Sequence, residues 1–415
     1  MKKITVLLLA IMVPMLMQAQ AKRRPAGGKA TAAAKKPAQK VNNNFAIVHF
    51  DEWMKHDVFE DENNVYFLGT TYGENTLRAI DKKTGDIRIV VPKKKRARPQ
   101  ICSAGSNGKD VFMRLEGKGI IRFNGTDVNT SEMLLPQGEQ YKAHLILANR
   151  GNRMIGSPDG KQIALIGDDV IVYDLEKKMV VRHCASGIHK TDASAIFLDN
   201  GTIVKGCPFA LMFIKPQLLP LPHVEASNKV NQTNVDEYNI KKIGNGGGGE
   251  ATDVIYYPAD TMLYAGFGEQ VLKTRTDKIA WQEAYTLPGE NKKFVHIAAM
   301  GKNHVIGQTD NYEKKFYVWD TKDFTGQPTI LKNIDTGIGQ PDKWTGIVNT
   351  KKIEGFTKVF TDAASNLWIQ TGDGEFVIYN PDGIVGLTAL KGKLTKNELP
   401  KEEDNHPPRH TKISL

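Results

Sequence analysis

Short runs of β-formers answered across tight polar turns recur along the chain. The clearest runs from Ser365 to Asn380, where Leu367-Trp368-Ile369-Gln370 and Phe376-Val377-Ile378-Tyr379 flank Thr371-Gly372-Asp373-Gly374-Glu375. The same phrase appears from Ser157 to Asp174, with Ile163-Ala164-Leu165-Ile166 facing Val170-Ile171-Val172-Tyr173. It returns where Val65-Tyr66-Phe67-Leu68 is answered by Leu77-Arg78-Ala79-Ile80. Apolar runs this short, bounded by Gly, Asn and Asp, predict strands and hairpins. Nowhere does a 3.6-residue period persist over a dozen residues, so the pattern predicts an all-β chain.

Central strands of the repeat begin near Val65, Val111, Ile163, Thr202, Met262, Val305 and Leu367. Their spacing of about 40–60 residues fits four strands and variable loops, the grammar of a β-propeller. Seven four-stranded blades are expected, with six or eight left open. Lys83-Thr84-Gly85-Asp86, Pro158-Asp159-Gly160-Lys161, Asp199-Asn200-Gly201-Thr202 and Pro381-Asp382-Gly383 each place Gly or Asn where a turn needs positive φ. Phe45–Phe50 reads as a strand before the first full repeat. Pairing it into the Phe356–Leu390 repeat would close the ring and remove an exposed edge.

Asp362 to Asn380, with Leu367-Trp368-Ile369-Gln370-Thr371, resembles the repeat of two-component-regulator propellers. The chain departs from that pattern at Ala363-Ala364-Ser365, in place of a glycine-centred turn, and at Gln370, in place of a glycine. Tyr317-Val318-Trp319-Asp320 is similar to the end of a WD40 repeat, and Ala79-Ile80-Asp81-Lys82-Lys83-Thr84-Gly85 to a quinoprotein-type turn. The resemblance implies fold and not mechanism, because propellers serve unrelated functions.

Met1-Lys2-Lys3, an apolar run from Ile4 to Met17, and Gln18-Ala19-Gln20-Ala21 have the three parts of a secretory signal peptide. The apolar run falls short of the ~20 residues a spanning helix needs, which favours a leader (1–21) over a retained anchor. Residues 22–44, rich in Ala, Lys, Gly and Pro, read as a disordered linker, and 391–415 as a disordered polar tail. The propeller is expected over 45–390, in the periplasm or outside the cell, with no lipid-accepting cysteine near the leader.

The formal net charge is +10, from 56 basic and 46 acidic residues. Nine of the basic residues, and none of the acidic ones, lie in 1–44, so the body holds 47 against 46. A neutral body argues against nucleic-acid binding. The basic linker reads as a solvated spacer or as a contact for anionic envelope polymers. Lys93-Lys94-Lys95-Arg96, bracketed by Pro92 and Pro99, allows the same two readings.

Cys102, Cys184 and Cys207 are too few for a disulfide framework, although Cys184 and Cys207 fall on neighbouring repeats where a pair is open. The ten histidines show no metal-ligand spacing, so no metal or cofactor is expected. Gly244-Asn245-Gly246-Gly247-Gly248-Gly249 lacks any phosphate-loop pattern and reads as a loop. Trp319 and Trp368 sit in strands as packing residues. Trp344, in an insertion between the last two blades, lies near Asp342; with Asp310 and Tyr312 it forms the candidate ligand patch.

With no nucleophile motif, metal spacing or cofactor loop, the expected function is a non-catalytic binding or scaffolding module of the bacterial cell envelope. Its partner would be a protein or a glycan. The alternative is a glycan-active hydrolase or lyase whose catalytic groups come from different blades.

Overall fold

A computed structural model describes residues 42–397, leaving out 51–52, 55–57, 72–73, 92–100, 126–127, 137–152, 168, 186–193, 208–209, 217–234, 240–250, 258–259, 277–281, 288–293, 310–313, 342–344, 346–347 and 373. The described strands build seven blades, read from inner to outer strand and antiparallel except for the last strand of the seventh. Blade 1 holds Trp53–Met54 and Phe59–Glu60, then Asn64–Thr71, Glu74–Asp81 and Ile87–Val91. Its inner edge is split: both short strands pair with Asn64–Thr71. Blades 2 to 6 have inner strands at Ile101–Ser106, Arg153–Gly156, Ala195–Phe197, Ala251–Tyr257 and Phe294–Met300. Blade 7 starts at Lys358–Thr361 and continues through Leu367–Gly372 and Glu375–Tyr379. The central strands expected from the sequence are the second strands of these seven sheets. Helical structure among the described residues is confined to two 3-10 turns, Thr321–Asp323 and Thr388–Leu390.

Blade 7 is completed from the other end of the chain. Phe45–Phe50 lies antiparallel to Glu375–Tyr379, with Ile47 opposite Val377. Leu394–Asn397 then lies parallel to Phe45–Phe50 as a fifth strand. This strand is past the Leu390 boundary read from the sequence; residues 398–415 and the expected leader and linker up to residue 41 lie outside the described residues.

The core is divided between the blades rather than placed at the centre. Seven buried clusters correspond to the seven blade–blade interfaces. Between blades 7 and 1, Phe50, Phe67, Trp368 and Phe376 pack with ring centroids 4.6–6.3 Å apart. Between blades 5 and 6, Trp319 stacks among Tyr285, Phe294, Tyr317 and Phe324. Trp319 is 1% exposed and Trp368 0%, so both are packing residues. Burying an aromatic side chain contributes ~2–3 kcal/mol, and repeating this at every interface rewards closure of the ring.

Polar anchors set the turns. The third strands of blades 1, 3 and 6 end in Asp81, Asp174 and Asp320, and that of blade 7 is followed by Asn380. Each side chain accepts the backbone N–H two residues on, from Lys83 (2.8 Å), Glu176 (3.1 Å), Lys322 (2.9 Å) and Asp382 (3.0 Å). A second device sits between first and second strands. Asp362 accepts from Ala364 N (3.0 Å), Asn366 N (2.8 Å), Asn366 Nδ2 (2.9 Å) and Trp368 Nε1 (2.8 Å). Asp61 repeats it in blade 1, accepting from Asn63 N, Asn64 N and the Tyr66 hydroxyl. Asp260 does so in blade 5, with Met262 N and Tyr264. Ser365, where the sequence departs from a glycine-centred turn, takes φ +62°. The four glycines singled out as turn residues have φ between +71° and +93°.

The expected insertion between blades 6 and 7 is a hairpin of Ile334–Pro341 and Val348–Ile353. Gln308 of blade 6 bridges to blade 7 beside it. Its Nε2 donates to Phe356 O (2.9 Å) and its Oε1 accepts from Phe356 N (2.6 Å).

Candidate functional site: the central channel

All seven inner edges contribute to a channel of about 600 Å³. It opens where the first strand of each blade turns into the second: Asn107 and Gly108 of blade 2, Ser157 and Pro158 of blade 3, and Ala363 and Ser365 of blade 7 line it. Hydrogen bonds tie these turns to one another. Asn107 Nδ2 donates to Gly160 O (2.7 Å), the Tyr257 hydroxyl to Gly301 O (2.5 Å), Gly301 N to Ser365 O (3.1 Å), and Ala363 N to the Glu60 carboxylate. Blades 2 and 3 approach so closely that a Cβ on Gly105 would lie 2.1 Å from Met154 O, and one on Gly156 2.2 Å from Asn107 Cα. Only a residue without Cβ fits there.

The channel wall mixes polar and apolar side chains all round the ring. Across blades 3 to 6 runs a polar arc: Arg153 Nη1 donates to Ser194 Oγ (3.3 Å), and Ser194 Oγ to Val254 O (3.2 Å). Next to Val254, Asp253 takes the Ile297 N–H (3.0 Å) and pairs with His296 Nδ1 at 3.2 Å. His296 rests against Phe356, centroids 6.0 Å apart. Blades 7 and 1 add Val359, Phe360, Val58 and Phe59 beside Glu60, Thr361 and Asp362, and blades 3 to 6 set Ile155, Ile196, Ile255 and Ala299 among their polar groups. Burial pushes the Tyr257 hydroxyl up to about 12 and also raises Tyr256, so both phenols on this wall stay protonated across the neutral range.

The channel carboxylates are held by protein donors. Glu60 pairs with Lys82 at 2.6 Å and accepts Ala363 N. Asp362 is surrounded by its four N–H donors, and Asp253 by His296 and Ile297. Among the described residues no three metal-donor side chains converge. Such a wall can hold an elongated ligand by interspersed polar and apolar contacts, with Arg153 as a cationic group on it.

The four residues read from sequence as a ligand patch, Asp310, Tyr312, Asp342 and Trp344, lie outside the described residues, as do the Pro92–Pro99 and Gly244–Glu250 runs. Cys184 and Cys207 fall on the neighbouring blades 3 and 4. Arg153, Ser194, Asp253 and His296 were not anticipated. They come from four blades, and no sequence spacing links them.

With ring and channel in view, the class of protein is defined by its fold: a seven-bladed β-propeller. No family model matches the chain, and no curated protein does. Among solved structures it is similar to the extracellular domain of the putative one component system BT4673 from B. thetaiotaomicron, with TM-score 0.51 and 12% identity over 80% of this chain. The chain spans only 39% of that structure's length. It is also similar to a chain of a mitotic checkpoint complex structure (TM-score 0.52, 10% identity, 86% of this chain and 98% of that one). A third match is YCF48 bound to D1 peptide (TM-score 0.53, 11% identity, 83% and 100%). At these identities the likeness is one of fold. No helix among the described residues is long and apolar enough to cross a membrane.

Proposed function

We propose that this chain is an exported, non-catalytic binding or scaffolding propeller of the bacterial cell envelope that takes a segment of a partner protein at the mouth of its channel. The observation that carries this reading is the state of the channel's acids. Glu60, Asp253 and Asp362 are each occupied by donors of the protein itself, while the interspersed polar and apolar groups of the wall leave a mouth suited to an elongated ligand. General acid–base work needs a proton-transferring group within reach of substrate, and these groups are committed to structure. Support by analogy comes from two similar structures, an extracellular domain and a propeller bound to a peptide. The export part rests on Met1–Ala21, and the basic linker would hold the ring near anionic envelope polymers.

The test is crosslinking of the tagged full chain in its own envelope, with mass spectrometry, alongside Arg153→Glu. A partner captured by the native chain and lost from the variant is the expected result. Equal capture by both would sink the channel as the binding site. The competing hydrolase or lyase reading has one specific support, the Asp253–His296 pair. Release of reducing ends from envelope glycans, abolished by Asp253→Asn, would replace the binding reading with that one.

A further inference from the structure

A second cavity, of about 540 Å³, lies at the base of the inserted hairpin and apart from the channel. Its lining brings together Lys314, Lys332, Lys351 and Lys352, with Asn333, Thr371 and Glu354. The clustering is local, because the body as a whole holds 47 basic and 46 acidic residues. Lys351 is already committed: its Nζ lies 2.8 Å from Glu375 Oε1, an oxygen that also accepts the Thr371 hydroxyl. Burial raises the Glu375 carboxyl, but Lys351 and Thr371 outweigh it and hold the group below its ordinary range. The pair is therefore a half-exposed, neutral part of the wall. Lys314, Lys332 and Lys352 are exposed and, among the described residues, form no ion pair. Glu354 is the one acid in the lining, so the open cavity carries a net positive charge.

Lys314 is also placed. Its φ is +36°, in the region L-residues avoid, and its stem lies over Gly355, where an added Cβ would come within 2.5 Å of Lys314 Cδ. The absence of a side chain at 355 leaves room for the ammonium arm across the cavity.

We infer that this cavity is a binding site for an anionic oligosaccharide, one bearing carboxylate or sulfate groups along a hydroxylated chain. Ammonium groups are point charges that suit oxyanions spread over a ligand, whereas planar bidentate recognition calls for arginine. The Asn333 amide adds donors, and the Glu354 carboxylate and the Thr371 oxygen, whose proton goes to Glu375, add acceptors for sugar hydroxyls. The volume falls in the ~300–1,000 Å³ range of small-ligand sites. This site is independent of the channel reading and would bring glycan and protein partner to different parts of one ring.

The experiment is fluorescence anisotropy of the full chain with labelled tetragalacturonate and a labelled heparin tetrasaccharide, with maltotetraose and tripolyphosphate as competitors. The two labelled probes separate carboxylate from sulfate as the recognised anion. Saturable binding of either is expected, unmoved by maltotetraose. It should weaken about tenfold in Lys314→Gln/Lys332→Gln/Lys352→Gln, as removal of three exposed charge contacts implies. Gly355→Ala should weaken it several-fold with no change in charge, and Arg153→Ala should leave it unchanged. The thermal midpoint of the triple variant should match the native one, since all three lysines are exposed. Native-like binding by the triple variant would overturn the assignment and point to the basic residues of 1–44. Displacement by tripolyphosphate at the saccharide's own concentration would overturn it too, leaving a well of charge without sugar recognition.

Discussion

Gln308 offers the sharpest test of how the blades are held together. Its amide makes two hydrogen bonds to the backbone of Phe356, and both residues are 3% exposed. Gln308→Ala would leave a buried N–H and a buried C=O without partners. Each such loss costs ~1–3 kcal/mol, so we expect ~2–6 kcal/mol overall. Gln308→Leu fills the volume but restores neither bond, so it should recover only part of that loss. Gln308→Glu discriminates further. Ionised, its carboxylate accepts Phe356 N but opposes Phe356 O; protonated, it donates to that oxygen and restores both bonds. The folded state therefore prefers the proton, and the glutamate pKa is raised above its unfolded value of ~4.3. The variant's stability is then fully present below ~4.3 and is lost as pH rises through the folded value. Urea unfolding, followed by Trp319 and Trp368 on the two blades concerned, should show the deficit of Gln308→Glu against the native chain narrowing from pH 7 to pH 4. An equal deficit at both pH values, or a cost below ~1 kcal/mol for Gln308→Ala, would refute the latch.

Ser365→Gly should stabilise the chain by ~0.5–1 kcal/mol, because relief of the +62° φ (a strain of ~1–2 kcal/mol) exceeds the added unfolded entropy; the check is a raised thermal midpoint. Gly156→Ala should cost more than ~3 kcal/mol, since its Cβ would meet the backbone at Asn107 and Ser106, and soluble yield with urea midpoint reads it. Backbone N–H bonds from Thr84 and Lys83 hold Asp81 below the ordinary carboxylate range, and the Ser157 hydroxyl with Lys161 N does the same for Asp159. Their stabilisation is complete above the unfolded aspartate pKa of ~3.9 and disappears as pH falls through the lowered values; Asp81→Asn/Asp159→Asn should therefore flatten the acid limb of a stability–pH curve.

Much of the ring was legible because its information is local. Val65, Val111, Ile163, Met262, Val305 and Leu367 mark second strands, since a fully buried strand needs a continuous apolar run and its turn needs glycine or asparagine. The closing role of Phe45–Phe50 followed from the cost of an open edge. Leu394-Thr395-Lys396-Asn397 escaped notice because it covers Phe45–Phe50 through backbone pairing and needs no apolar signature. Asp61, Asp260 and Asp362 were findable: each stands four to six residues before an aromatic that donates back to it. The channel arc was not. Arg153, Ser194, Asp253 and His296 meet only because the inner strands converge, and each alone looks like any polar residue near a strand.

The arrangement of the seventh blade also sets an order of events. Phe45–Phe50, among the earliest residues of the ring to be synthesised, lies between Glu375–Tyr379 and Leu394–Asn397, among the last. The ring cannot shut on a growing chain. Until the final blade has emerged, the leading strand has no partner on either edge and must be kept from pairing elsewhere. Closure is thus a completion check: a chain truncated anywhere before residue 375 leaves its first strand exposed, in a form that quality-control proteases can recognise.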